Sequence, residues 1–303
     1  MSALAPPLSH ADTITVPVAP AAAPAPQSRT AFARFKRDRA ALAALIGLLL
    51  GAALAIAAPL LLPHDAFAMA GKPFVWPGKD WHFPLGTDMF GRDILAGVVY
   101  GARISLLVGL VAAAISTGIG IAVGLTAGYF GRWVDHALMR ITELFQTMPP
   151  LVFVVTIVAI LQPSITSIVV AIGFTSWTQT ARLIRAETLR IRESEYVQAA
   201  FALGIKPLQI IVKHILRNAV SPAIVTGTLL AGSAILTEAA LSFLGLGDPN
   251  VMSWGSMVGA GRQVLRTAWY ITAIPGLAIV LTVLAVTALG NGLNRVLNPR
   301  ADH

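Results

Sequence analysis

Tyr196–Ser221, YVQAAFALGIKPLQIIVKHILRNAVS, interrupts a chain made otherwise of long apolar runs. Within it, Val197, Ala200, Phe201 and Gly204 recur at helical spacing, and Leu208, Ile211, Val212 and Ile215 repeat the pattern after Pro207, a residue suited to the first turn of a helix. The spacing predicts two short amphipathic helices meeting at a glycine. Lys206, Lys213 and Arg217 stand beside them, so the pair presents an apolar ridge and positive charge to another protein. A basic helical pair between apolar runs is the mark of a loop held outside a bilayer by helices within it.

The composition agrees. In 303 residues, 56% are hydrophobic and only 12% charged, with a mean hydropathy of +0.74, more apolar surface than a soluble domain can bury. The expected fold class is therefore an all-α integral membrane protein. The net charge of +8 does not point to nucleic acid, because Lys and Arg fall between apolar runs rather than on one soluble face. The absence of cysteine excludes disulfides, thiolate catalysis and Cys-ligated metal, and the six scattered His form no HExxH pair. No GxxxxGK[ST] phosphate loop and no GxSxG elbow occur, so no catalytic residue and no metal site is expected, and ATP-driven work needs another subunit.

Outward from the basic loop, apolar runs predict six spans, at about 40–62, 104–129, 134–161, 165–186, 223–246 and 268–296, with the loop at 190–220. Residues 1–30, rich in Ala and Pro, are expected to be a disordered cytosolic tail ahead of a permease-type body at 31–300. Pro149 and Pro150 predict a kink in the third span. Sixteen Lys and Arg lie on the side of the tail and the 196–221 loop, six on the other, which places both termini and that loop in the cytosol.

Several residues stand out against this background. Gly86, Asp88, Gly91, Arg92 and Asp93 occupy the outer loop after the first span; they read either as a structural turn with a surface salt bridge or as a gate or receptor-docking element. Glu238 lies sixteen residues from Pro222, about 24 Å at helical rise, and reads either as a headgroup-level carboxylate or as a pathway residue able to meet an ammonium group. Trp177, Thr178, Gln179 and Thr180 put polar groups into the fourth span and suit a translocation path or helix packing. Glu143, three residues after Arg140, suits an i, i+3 ion pair, and Trp81, Trp254 and Trp269 suit the outer interface.

Three blocks carry a resemblance: PLGTDMFGRDILAGVVYGARISLLVG at Pro84–Gly109, the loop itself, and EAALSFLGLG at Glu238–Gly247 followed by Trp254 and Gly255. Over residues 30–300 the chain resembles the inner-membrane permease subunit of the dipeptide, oligopeptide and nickel family of bacterial ABC importers. In the family's cytosolic loop motif, Ala199, Ala200 and Gly204 match the usual alanines and glycine, and His214, Ile215, Leu216 and Asn218 match its end. Gln198 stands where an acidic residue is usual, Arg217 where proline is common, and Asn291 and Asn298 where many relatives carry Asp. The resemblance implies that Gln198–Asn218 couples to an ATPase and that the chain binds no cofactor, ATP and Mg belonging to its partners. Those partners would be a second, similar permease, two cytosolic ATPases and an extracytoplasmic binding protein. Di- and oligopeptides are the implied cargo, with nickel chelates, glutathione or opines as alternatives. A self-sufficient secondary transporter is the competing class, but it would need inverted repeats and buried coupling carboxylates, of which Glu238 is the sole candidate.

Overall fold

The computed structural model describes residue 35 and residues 38–62 and 64–297; the tail at 1–30 lies outside them. The described residues are mostly helical, with two isolated bridges, Met69–Arg92 and Thr87–Asp93, and no strand among them. Helix α1, Arg39–Leu61, starts at Asp38, whose carboxylate accepts the Ala41 N–H at 3.1 Å. Helix α2, Ile94–Phe130, runs 37 residues from its Asp93 cap to Gly131. It begins ten residues before the apolar run suggests: Asp93 caps it, and Ile94, Ala96, Gly97, Gly101 and Ala102 of the added turns are buried.

Helices α3, Arg132–Thr147, and α4, Pro150–Leu161, stand where one span is expected, and are bent by 88° at the two prolines. The expected fourth span is likewise divided, into α5, Ile165–Thr175, and α6, Trp177–Arg192, which meet at Ser176. By length and apolarity four described helices can cross a membrane alone, or five if the bent pair counts as one. The short helix α7, Glu195–Ala202, follows α6. Helix α8, Pro207–Phe243, joins the second half of the basic loop to the fifth expected span in one 37-residue rod, so the anticipated second short helix is the start of a long one. Helices α9, Trp254–Gly261, and α10, Tyr270–Leu297, complete the described chain.

Helix α2 is the spine. In its C-terminal half, Gly120, Gly124 and Gly128 repeat at four-residue spacing and let the backbone of α6 come close. A methyl at Gly120 would meet Thr180 Cβ at 2.5 Å, one at Gly124 the Ala181 carbonyl at 2.6 Å, and one at Gly128 Thr188 Cβ at 2.6 Å. Gly120 faces Thr180, Gly124 faces Ile184 and Gly128 faces Thr188, so α2 and α6 run parallel at a constant offset of sixty residues. Small residues in such a row gain van der Waals contact that lipid cannot supply. In the N-terminal half of α2, Gly97, Gly101 and Gly109 are pressed by Met257, Trp254 and Ile235, which seats α9 and α8 on the same helix. Helix α10 closes the bundle on α1, where Gly292 receives Ala41 and Arg295 pairs with Asp38.

Candidate functional site

Helix α7 ends in two bonds of the kind that reverse a helix. Gly204 N–H donates to Phe201 O at 3.0 Å and Ile205 N–H to Ala200 O at 3.2 Å, with Gly204 at φ +71°, a conformation that costs a side-chain-bearing residue. Pro207 then starts α8. Residues Ile211–Leu216 form a π-helical turn, and the wider turn brings Ile210 and Ile215, five apart, to the same buried side.

The apolar residues of the loop consequently divide in a way that simple periodicity does not foresee. Val197, Ala200, Ile210 and Ile215 are buried with Leu125, Tyr129, Ile184 and Ile191 from the ends of α2 and α6. Phe201, Leu203, Leu208 and Val212 face outward, Leu203 being 79% and Leu208 70% exposed. Two faces therefore exist: an inner one that fixes the loop to the bundle and an outer ridge left uncovered. Of the residues implicated in coupling, Ala200 and Ile215 belong to the inner face, while Gln198, Ala199, Gly204, Arg217 and Asn218 are exposed and His214 and Leu216 half-buried.

Polar groups brace the base of the loop. Gln198 Nε2 donates to Arg192 O, the end of α6, at 2.9 Å. Asn218 Nδ2 donates to the Tyr196 hydroxyl at 3.1 Å and to His214 O at 2.7 Å. Arg217 lies within the continuous α8, where the π-helical turn passes into the α-helix that follows. Beneath the loop, Arg192 Nη1 donates to Tyr129 O at 2.9 Å and caps the last turn of α2, and the Arg185 guanidinium grips both oxygens of Asp135, one at 2.6 Å, tying α3 to α6. Sequence reading missed this Arg185–Asp135 fork because fifty residues separate the partners and no local pattern links them.

On the opposite side, the 86–93 turn is held by backbone bonds. Asp88 Oδ1 accepts the N–H groups of Phe90 and Arg92 at 2.8 and 2.9 Å, Ile94 N–H donates to Gly86 O, and Gly91, at φ +76°, lies so close to the Gly71 carbonyl that a side chain would collide with it. Asp93 Oδ1 accepts Leu95 N–H at 2.9 Å and caps α2. No ion pair links Asp88, Arg92 and Asp93; the Arg92 guanidinium lies over Phe90 and Phe67 instead. Burial pushes the Asp93 carboxyl above the ordinary aspartate range, against the opposing pull of the Leu95 and Ala96 N–H groups. The Tyr270 hydroxyl, donating toward Val75 O and Thr87 O, each 3.1 Å away, pins this turn to α10.

Glu238 is 2% exposed and belongs to a nest of hydroxyls. Ser242 Oγ donates to its Oε1 at 2.7 Å and Ser105 Oγ to its Oε2 at 3.3 Å, while Ser253 Oγ donates to Ser242 Oγ at 3.4 Å. The carboxylate thus joins α2, α8 and the start of α9. Trp177 is buried edge-on against Phe145, whereas Gln179, two residues on, is exposed on α6. Arg140 and Glu143 form the anticipated pair at 3.2 Å.

Comparisons with known proteins agree on one kind of protein. Residues 120–303 match the family described as binding-protein-dependent transport system inner membrane component, and residues 27–73 match the N-terminal TM domain of oligopeptide transport permease C. The chain is 39% identical over 273 residues to a dipeptide transport system permease protein of Alkalihalophilus pseudofirmus, covering 90% of each chain. It is 37% identical to a di/tripeptide transport system permease protein of Pseudomonas aeruginosa, covering 88% of this chain and 90% of the other. Its fold is similar to a chain of the inward-facing MetNI methionine ABC transporter, with a TM-score of 0.56 at 18% identity, covering 68% of this chain and 98% of that one.

Proposed function

Because the chain belongs to the family of binding-protein-dependent transport system inner membrane components, a multi-pass transport subunit and not a catalyst, we propose that it forms half of the translocation path for di- and oligopeptides in an ATP-driven importer. The single observation that carries the reading is the two-faced 195–218 loop: an inner face fixed to α2 and α6, and an outer ridge of Phe201, Leu203, Leu208 and Val212 beside exposed basic residues. A loop so built transmits force, because whatever grips the ridge moves the helices to which its inner face is fixed. The chain has no phosphate loop, so the gripping partner is a cytosolic ATPase that holds ATP and Mg itself. Both termini then lie in the cytosol, and a second permease and an extracytoplasmic binding protein complete the assembly.

Peptide as cargo rests on the relatives, whose names describe dipeptide and di/tripeptide permeases; nickel and other small solutes are the less favoured reading. Uptake of a labelled dipeptide by cells lacking the chain, with and without its restoration and with the neighbouring transporter genes intact, tests both parts. Loss and recovery of uptake support the proposal. Unchanged uptake in a strain shown to have no other peptide importer overturns the cargo.

A further inference from the structure

Where α2 ends and α8 begins, a groove of about 550 Å³ opens on the side of the bundle. Leu125, Thr126 and Phe130 form one wall and Lys206, Leu208 and Ile211 the other. Phe130 is the last residue of α2, and Leu125 stands five residues earlier, about 7.5 Å deeper into the apolar span. The groove therefore runs from the end of a membrane-length helix inward along its flank.

Its chemistry is divided. The Thr126 hydroxyl is already spent on Ala122 O at 2.7 Å, which leaves the wall of α2 apolar. Lys206 makes no ion pair among the described residues, and no acidic side chain lines the groove. An unpaired ammonium at the rim of an apolar trough asks for a ligand with an aliphatic part and an anionic head. A soluble anion would leave the apolar walls wet, and a neutral hydrocarbon would leave the cation unanswered.

We propose that this groove seats an anionic phospholipid of the surrounding bilayer, one acyl chain lying against Leu125, Phe130 and Ile211 and the headgroup phosphate on Lys206. The flexible lysine stem suits the position, since it lies along apolar surface while its ammonium reaches headgroup level. Leu208 is shared with the outer ridge of the loop, but the acyl chain is placed against Leu125, Phe130 and Ile211, which the ridge does not include.

Native mass spectrometry of the intact transporter complex, released from vesicles of equal phosphatidylglycerol and phosphatidylethanolamine, tests it. The wild type is expected to retain phosphatidylglycerol over phosphatidylethanolamine by about fivefold, the weight of one basic residue near an anionic surface. Lys206→Gln should bring that ratio to parity, and Lys79→Gln, on the far side of the bundle, should leave it unchanged. Thr126→Trp, which fills the trough from a half-exposed position, should lower retention of both lipids. Equal retention by the wild type, an unchanged ratio in Lys206→Gln, or undiminished lipid in Thr126→Trp would each overturn the proposal.

Discussion

Asn218 and Tyr196, 22 residues apart, are joined by a side-chain hydrogen bond of 3.1 Å that closes the base of the 195–218 loop. The bond lies at the surface and is worth about 0.5–1.5 kcal/mol, too little to decide folding but enough to change how stiffly the loop is held. Asn218→Ala is expected to insert and assemble normally yet support slower peptide uptake per complex. Wild-type uptake with unchanged ATPase activity would remove the clasp from the coupling argument.

Gly204 should show a graded series. Asparagine tolerates the left-handed conformation better than alanine, and open space surrounds the position, so backbone strain rather than collision inside the chain sets the order. Uptake is expected to fall from Gly through Asn to Ala, with a cost of about 1–2 kcal/mol in the loop for alanine, and to vanish for Gly204→Trp while membrane insertion persists. Insertion is read by immunoblot of membrane fractions, and coupling by co-purification of the ATPases together with uptake. A tryptophan variant that retains bound ATPases and normal uptake contradicts the role given to this turn.

Glu238 organises hydroxyls from three elements, and its loss leaves Ser105 and Ser242 without their acceptor in the interior. Glu238→Leu is expected to destabilise the purified complex by about 2–5 kcal/mol, in line with breaking a buried hydrogen-bond network. Glu238→Gln keeps one acceptor oxygen and should cost less, and Ser105→Ala less still. Thermal melts of the three variants rank them; a leucine variant as stable as the wild type excludes the nest as a structural tie.

The glycine row of α2 offers an internal control. Gly124→Ala places a methyl 2.6 Å from the Ala181 carbonyl and must push α6 away, whereas Gly118→Ala meets nothing within 4 Å. The first should lower the melting temperature and uptake together. The second should be neutral or stabilising by up to about 1 kcal/mol through helix propensity. Equal behaviour of the two would falsify the close parallel packing of α2 on α6.

Asp93 sets a pH dependence of definite sign. Its carboxyl is raised by burial, so the stability it contributes is complete below the ordinary aspartate pKa and is lost as pH rises through the raised value. The melting temperature of the complex should therefore decline across that window by an increment that Asp93→Asn removes, the asparagine still capping α2. An identical pH profile for wild type and variant counts against the buried, ionisable cap.

Much of the architecture is legible without coordinates. Ala40–Leu62 and the run ending at Val296 announce their helices through apolar length alone, and Gly204 with Pro207 announces a turn through backbone chemistry that is local. Less legible is any feature made by residues distant in sequence. The Val197, Ala200, Leu208 and Ile215 pattern reads as one ridge, yet the π-helical turn at 211–216 divides it between an inner and an outer face. Asp88, Arg92 and Asp93 invite mutual pairing by their charges, but backbone N–H groups and two phenyl rings take them first.

The sequence by itself determined an all-helical membrane protein with a basic loop, no GxxxxGK[ST] phosphate loop and the family's loop motif, because apolar run length, backbone-specific residues and motif spacing act over a few turns at most. Only the tertiary structure decided that α2 and α6 run parallel at an offset of sixty residues, that the kink expected at Pro149 and Pro150 is a bend of 88°, that the fourth apolar run is divided at Ser176, and that Glu238 ends among Ser105, Ser242 and Ser253. The physical reason is that lipid is as apolar as leucine. Hydropathy places a helix in the membrane, but which helix it meets, and in what register, depends on close contact between small residues and on the need of each buried polar group for a partner.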